Sequence, residues 1–403
     1  MFRLTQYLKG IRGQPAPSSQ RAPSGPVVIW NLIRRCNLAC QHCYSISTDH
    51  DFAGELTTPE IFGVMDDLRR FGVQVLILSG GEPLLHPDIF TIAGRAKSLG
   101  FYVGLSTNGT LIDQHNLNAI RAIGFDYVGI SLDGIGDTHD RFRRKAGAFD
   151  GALEGLRLCR DAGIKAGVRF TLTGDNAPHL PQLLALVERE RVDKFYLSHL
   201  NYAGRGNVNR ARDAMHLSAR WAIDLLIRAA WDHLERGLPT EFVTGNNDAD
   251  AAWLLLWVKR HHPQAEPALR ARLRQWGGNA TGVGIANIDN LGNVHPDTMW
   301  WEYTLGNVRE RRFSEIWSDA TDSLMAGLRR RPRPVKGRCR ECGFLDVCGG
   351  NTRTRAWQLT GDPWEEDPGC YLEDEEIGVE SSRERLSVTP YSRRQRTATV
   401  LPE

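Results

Sequence analysis

The chain has 403 residues, with 50 Lys and Arg against 48 Asp and Glu and a formal net charge of +2. Such a balance gives no global field for a nucleic-acid backbone or an anionic membrane. The length accommodates one large domain and a smaller one without disulfides. Residues 1–26 read as an N-terminal extension with no apolar run of signal-peptide length, and nothing later is long and uncharged enough to span a bilayer. A cytoplasmic protein is therefore expected. Its eight cysteines are then expected as metal ligands or reduced thiols.

From Val27 onward, short β-branched runs alternate with helical patterns. The runs fall at 27–33, 75–80, 102–109, 127–134, 166–173 and 194–201, each nearly continuous in apolar residues, as strands covered on both faces are. Between the first two, "TPEIFGVMDDLRRFG" places Ile61, Met65 and Leu68 at helical spacing, with Gly72 to close the end. Six such units predict an α/β fold, a partial (β/α)6 TIM-like barrel over 27–210. Chemistry should collect at the C-terminal ends of its strands. Residues 211–278 read as a helical bridging region and 279–375 as a smaller α+β domain. The polar, unpatterned 376–403 is expected to be a mobile tail.

"RCNLACQHCYS" begins just after the first strand and carries Cys36, Cys40 and Cys43 as CxxxCxxC. Soft thiolates suit iron–sulfur clusters or zinc, and structural zinc sites usually close four positions with paired CxxC knuckles. Three thiolates on a four-iron cube would leave one iron open. The second strand ends "SGGEPLL", the third "STNGT" and the fourth "SLDG". Two glycines permit close backbone approach to a ligand, and a proline fixes the turn.

Taken together and in this order, these elements resemble the radical S-adenosylmethionine (SAM) enzymes. Their signature is CxxxCx-aromatic-C after the first strand, with His42 at the aromatic position here. The resemblance implies that SAM chelates the open iron of a [4Fe-4S] cluster held by Cys36, Cys40 and Cys43. Reductive cleavage then yields methionine and a 5′-deoxyadenosyl radical that abstracts hydrogen from substrate. It also implies SAM contacts from Gly80, Gly81, Glu82 and Pro83, with Glu82 accepting from the SAM ammonium. Asn108, Ser131, Asp133 and Arg143 would contact the ribose and amino-acid parts, and flavodoxin or ferredoxin would supply electrons.

A second set, Cys339, Cys342, Cys348 and Cys370, is spaced CxxCxxxxxC followed by a long gap. By spacing alone it suits zinc or a fully ligated iron–sulfur cluster. The spacing also resembles the SPASM or Twitch extensions of radical SAM enzymes, which implies one auxiliary [4Fe-4S] cluster. Asp297 and Asn351 stand where a two-cluster SPASM domain would carry further cysteines, and Asp297 is kept as an unusual candidate ligand. Cys159, on an apolar helical position, reads as a small buried hydrophobe.

Long stretches, among them "FYLSHLNYAGRGN", "EFVTGNNDAD" and "CGGNTRTRAWQLTGDPW", resemble the tetrapyrrole-modifying branch that serves haem d1 biosynthesis. That implies removal of propionate side chains from a didecarboxysirohaem-like iron tetrapyrrole. Arg169 and Arg205 are candidate partners for its carboxylates, and His199 or His295 for its iron. Two rivals stay open: a haem-pathway decarboxylase or peptide maturase of the same family, and a non-catalytic iron–sulfur or zinc protein.

Overall fold

The computed structural model describes residues 1–14, 25–380 and 385–392. Strands form where the apolar runs predict them: β1 (Val27–Asn31), β2 (Val75–Ser79), β3 (Tyr102–Thr107), β4 (Tyr127–Ser131), β5 (Ala166–Leu172) and β6 (Lys194–His199). Each pairs in parallel with the next. The helix Thr58–Phe71 shows why the connections hold. Glu60 accepts from the Thr57 N–H at 2.7 Å, Pro59 sits in the first turn, and Gly72 ends the helix at φ 94°. Its buried Ile61, Met65 and Leu68 join the core cluster that also holds Trp30, Leu78, Leu105, Ile130, Phe170 and Leu197 from the strands.

Alternation along the strands puts a different set on the opposite, inner face. Towards the strand ends this face is small and polar: Asn31 in register with Ser79, Ser106 with Gly129, and Thr171 with Ser198 and through it Gly245. Arg169 lies on the same face, in register with Ser131 on one side and Tyr196 on the other.

The segment 211–278 is not helical throughout. β7 (Glu241–Gly245) lies within it and pairs in parallel with β6. Only Phe242 and Val243 announce it in sequence, and it is fixed from outside: Phe2 bridges Thr244, and the Phe242 N–H donates to the Thr5 hydroxyl at 2.8 Å. The N-terminal residues thus cover an edge that would otherwise be open.

β8 (Ile285–Ile288) runs parallel to β1, and β9 (Asn293–His295) and β10 (Gly306–Asn307) follow antiparallel. One ten-stranded sheet results, ordered β10-β9-β8-β1-β2-β3-β4-β5-β6-β7. The C-terminal extension therefore shares the barrel's sheet through its first strands, because β1 has a free edge and Ile285–Ile288 has apolar residues to pair with it.

The described residues of the tail bond to the body of the protein. Arg210 donates to the carbonyls of Thr389 (2.7 Å) and Pro390 (3.2 Å), and the Leu386 N–H donates to Glu366 at 2.6 Å. Residues 15–24, 381–384 and 393–403 lie outside the described residues. Among the described residues no helix is long and apolar enough to cross a membrane.

Candidate functional site

The loop after β1 is closed by the Cys36 N–H donating to the Thr48 carbonyl at 3.0 Å. Cys36, Cys40 and Cys43 pack together with Leu38 and Ala148. Each sulfur accepts from an N–H donor: Cys36 from Asn108 Nδ2 (3.9 Å), Cys40 from Arg143 Nη1 (3.5 Å) and Cys43 from the Ser47 backbone (3.4 Å). Burial pushes the Cys36 and Cys40 thiols up from their ordinary range. Thiols held this way keep their protons unless a metal takes the protons' place, and the N–H donors suit the resulting thiolates. The donor set thus fits an iron–sulfur cluster. His42 packs its ring on Phe142 at 4.7 Å, and burial drives its pKa well down, so the imidazole is neutral.

The strand-end residues converge on this loop, though not always in the expected role. The Gly81 N–H donates to the Ile33 carbonyl (2.6 Å) and the Glu82 N–H to the Arg35 carbonyl (2.9 Å). A Cβ on Gly81 would collide with the Arg34 and Arg35 carbonyls, and one on Gly80 would lie 2.6 Å from that of Ile33. What these glycines admit is the backbone of the cysteine loop. Pro83 then opens a 3-10 turn, Pro83–Leu85.

Glu82 is fully buried, and its carboxylate is already engaged. It accepts from the Thr107 hydroxyl (2.7 Å), the Asn108 N–H (2.8 Å) and the Leu84 N–H (3.1 Å). Even so, burial dominates and pushes its pKa up to about 7. Asn108 Nδ2 donates to Asn37 Oδ1 at 2.8 Å, tying β3 to the cysteine loop. Asp133 forms a buried ion pair with Arg143 and accepts from the Thr171 N–H at 2.7 Å. It orients the guanidinium that reaches Cys40. Ser131 stands half-buried at the end of β4.

Cys339, Cys342, Cys348 and Cys370 line one pocket together with Arg338, Phe344, Leu345 and Leu372. The Phe344 N–H donates to Cys342 Sγ at 3.4 Å, and burial raises all four thiols. This donor set too fits a thiolate-bound cluster. Asp367 is clamped by Arg355 through two bonds of 2.8 and 2.7 Å. Arg355 also donates to the Leu200 (3.0 Å) and Asn246 (2.9 Å) carbonyls, which fixes the Cys370 loop to the ends of β6 and β7.

Asp297 does not line this pocket; it accepts from the Thr281 hydroxyl and from the Met299 N–H (2.7 Å). Asn351, at φ 60°, accepts from the Asp248 N–H (2.7 Å) and donates to Asn247 (2.6 Å). Cys159 is fully buried in the core.

Several expected substrate residues have other partners. Arg205 donates to the Cys40 (2.6 Å) and Ser47 (2.9 Å) carbonyls, so it braces the cysteine loop. His295 has both ring nitrogens engaged, Nδ1 with the Tyr303 carbonyl (2.7 Å) and Nε2 with Asp289 (3.4 Å). His199 meets Asp250 through Nε2 at 3.1 Å, and Asp250 also accepts from the Tyr371 hydroxyl at 2.8 Å. Arg169 bonds to Ser106 and lies over the Tyr196 ring at 5.5 Å. Tyr44, which the motifs did not single out, accepts from Asn31 Nδ2 at 2.8 Å beneath the cysteine loop. Its position directly after Cys43 was the available signal.

Residues 30–187 match the radical SAM superfamily. The chain is 55% identical over 393 residues, 97% of each sequence, to the Pre-heme d1 synthase of Dinoroseobacter shibae. It is 43% identical over 356 residues, covering 88% of this chain and 89% of the other, to the Fe-coproporphyrin III synthase of Methanosarcina barkeri. Among solved structures, SuiB of Streptococcus suis bound to S-adenosylmethionine superposes with a TM-score of 0.68 at 16% identity. That match covers 87% of this chain and 78% of SuiB, a likeness of fold.

Proposed function

Because this chain belongs to the radical SAM superfamily, we propose that it removes propionate side chains from a didecarboxysirohaem-like iron tetrapyrrole in haem d1 biosynthesis, with oxo groups eventually taking their place. The observation that carries the substrate is the 55% identity to a Pre-heme d1 synthase along 97% of both chains. When bound, a reduced four-iron cluster supplies the electron that splits SAM into methionine and the hydrogen-abstracting 5′-deoxyadenosyl radical. Cys36, Cys40 and Cys43 hold that cluster in our reading, and Arg143, Asn108 and the Ser47 N–H favour their thiolate forms. Asp133 keeps Arg143 aimed at Cys40. Gly80, Gly81, Glu82, Pro83, Asn108 and Ser131 shape the SAM pocket, with Glu82 acting through the β3 end it bonds.

Arg169, at the inner face of β5, is our candidate for a substrate carboxylate. Cys339, Cys342, Cys348 and Cys370 hold an auxiliary [4Fe-4S] cluster without a vacancy. A flavodoxin or ferredoxin delivers the electrons. The test is anaerobic incubation with SAM, reductant and the iron tetrapyrrole, followed by mass spectrometry; loss of two propionates supports the reading, and unchanged substrate with SAM still cleaved refutes it. The 31% identity over 347 residues to the AdoMet-dependent heme synthase of Methanosarcina barkeri favours one second reading, a haem-pathway decarboxylase, which iron coproporphyrin offered in the same assay would reveal.

A further inference from the structure

We propose that Ser45 is a positioning residue for the first cluster: its hydroxyl donates to the Cys43 sulfur, the Ser47 hydroxyl donates to it from behind, and the pair makes that cluster easier to reduce. This rests on the reading that Cys36, Cys40 and Cys43 hold a four-iron cluster.

Ser45 Oγ lies 3.4 Å from Cys43 Sγ, and Ser47 Oγ lies 2.7 Å from Ser45 Oγ. The Ser47 N–H donates to the same sulfur at 3.4 Å. Ser45 and Ser47 are 2% and 1% exposed, so bulk water does not compete for either hydroxyl.

A hydroxyl can both donate and accept. A sulfur bound to iron carries no proton, so it can only accept. Ser45 then has to donate to Cys43, which leaves its oxygen to accept from the Ser47 hydroxyl. A hydroxyl that accepts while it donates is polarised and donates more strongly.

The backbone is bent to bring this about. Ile46, between the two serines, stands at φ 54°, in the left-handed region that a β-branched residue avoids. It is held there from both sides, because the Ser45 carbonyl accepts from Arg34 Nε at 2.9 Å and the Ser47 carbonyl from Arg205 Nη2 at 2.9 Å. Such a conformation persists only where its surroundings over-determine it. Its result here is that residues 45 and 47 both turn to one sulfur. Hydrogen bonds to cluster sulfur offset the negative charge that arrives with an electron and so favour the reduced state.

Full-length protein with Cys339, Cys342 and Cys348 replaced by Ala leaves the first cluster alone to contribute. Potentiometric titration without SAM, followed by electron paramagnetic resonance, compares this parent with the same protein carrying Ser45→Ala or Ser47→Ala. Ser45→Ala should lower the reduced-to-oxidised ratio at fixed potential about tenfold, a shift of about 59 mV for a one-electron couple. Ser47→Ala, which keeps the backbone N–H on Cys43 and removes only the hydroxyl behind Ser45, should fall in between. An unchanged midpoint in Ser45→Ala with four irons retained overturns the proposal.

Should Ser45→Ala lose its iron, Ser47→Ala decides: a lowered midpoint supports the proposal, and an unchanged one overturns it. A parent protein that gives no four-iron signal fails the underlying reading instead, whatever the serines do.

Discussion

Arg205 reaches the cysteine loop from the chain segment after β6, donating from Nε to the Cys40 carbonyl at 2.6 Å and from Nη2 to the Ser47 carbonyl at 2.9 Å. Neighbouring bonds extend the brace. The Arg205 N–H donates to the Cys43 carbonyl, and Gly204, at φ 52°, lies where a Cβ would strike the Tyr44 carbonyl. Asn201 and Asn207 in turn bond to Thr352 (3.2 Å) and Gln358 (2.7 Å). One short segment therefore holds the three-cysteine loop on one side and the stretch after Cys348 on the other.

Loosening this brace should free the first cluster without unfolding the barrel. Arg205→Ala is expected to release iron to a chelator at least tenfold faster than wild type. Arg205→Lys should fail to rescue it, because an ammonium lacks the planar fork that spans two carbonyls. Equal release rates would show that the brace is dispensable.

Gly81→Ala places a methyl group against the Arg34 and Arg35 carbonyls and should cost about 1–3 kcal/mol. Gly94→Ala, on the helix Ile89–Ser98 with open space at its Cβ, should instead be neutral or stabilising by about 0.5–1 kcal/mol. Denaturant unfolding of the two variants checks the contrast.

The buried Glu82 carboxyl holds its proton up to about 7, against an ordinary value of 4.5. Unfolding therefore releases a proton between these pH values, and the folded state loses stability as pH rises through that window. Relative to Glu82→Gln, SAM-free wild type should lose about 3 kcal/mol between pH 4.5 and 7. A pH-independent difference between the two proteins would mean that Glu82 ionises normally.

The two candidate axial histidines should separate. His295 is held at both nitrogens, whereas Asp250 holds only Nε2 of His199, the arrangement that orients a metal-ligating imidazole. In absorbance titrations with iron tetrapyrrole, His199→Ala is expected to alter the bound spectrum and His295→Ala to leave it unchanged. Unchanged spectra in both variants would exclude axial ligation by either residue.

The barrel strands were legible because buried parallel strands are written as continuous apolar runs, and the cysteine sets because thiolate spacing is local. β7 was not, since Phe242 and Val243 are too short a signal and its partners Phe2 and Thr5 lie over two hundred positions away. The role of Gly81 was half legible: the need for close approach was visible, but not that the approaching group is the Arg34–Arg35 backbone. Arg205 was noticed for its charge and assigned to a substrate carboxylate, when its geometry suits two carbonyls. Burial of Asp297 and Asn351 beside their hydrogen-bond partners likewise leaves no trace in local spacing.

The central claim is that Cys36, Cys40 and Cys43 hold a four-iron cluster with one iron open to SAM. Electron paramagnetic resonance of the anaerobically reduced protein, with Cys339, Cys342 and Cys348 replaced by Ala, addresses it directly. The account predicts that adding SAM shifts the g-values of the remaining cluster; a spectrum unaltered by saturating SAM would contradict it.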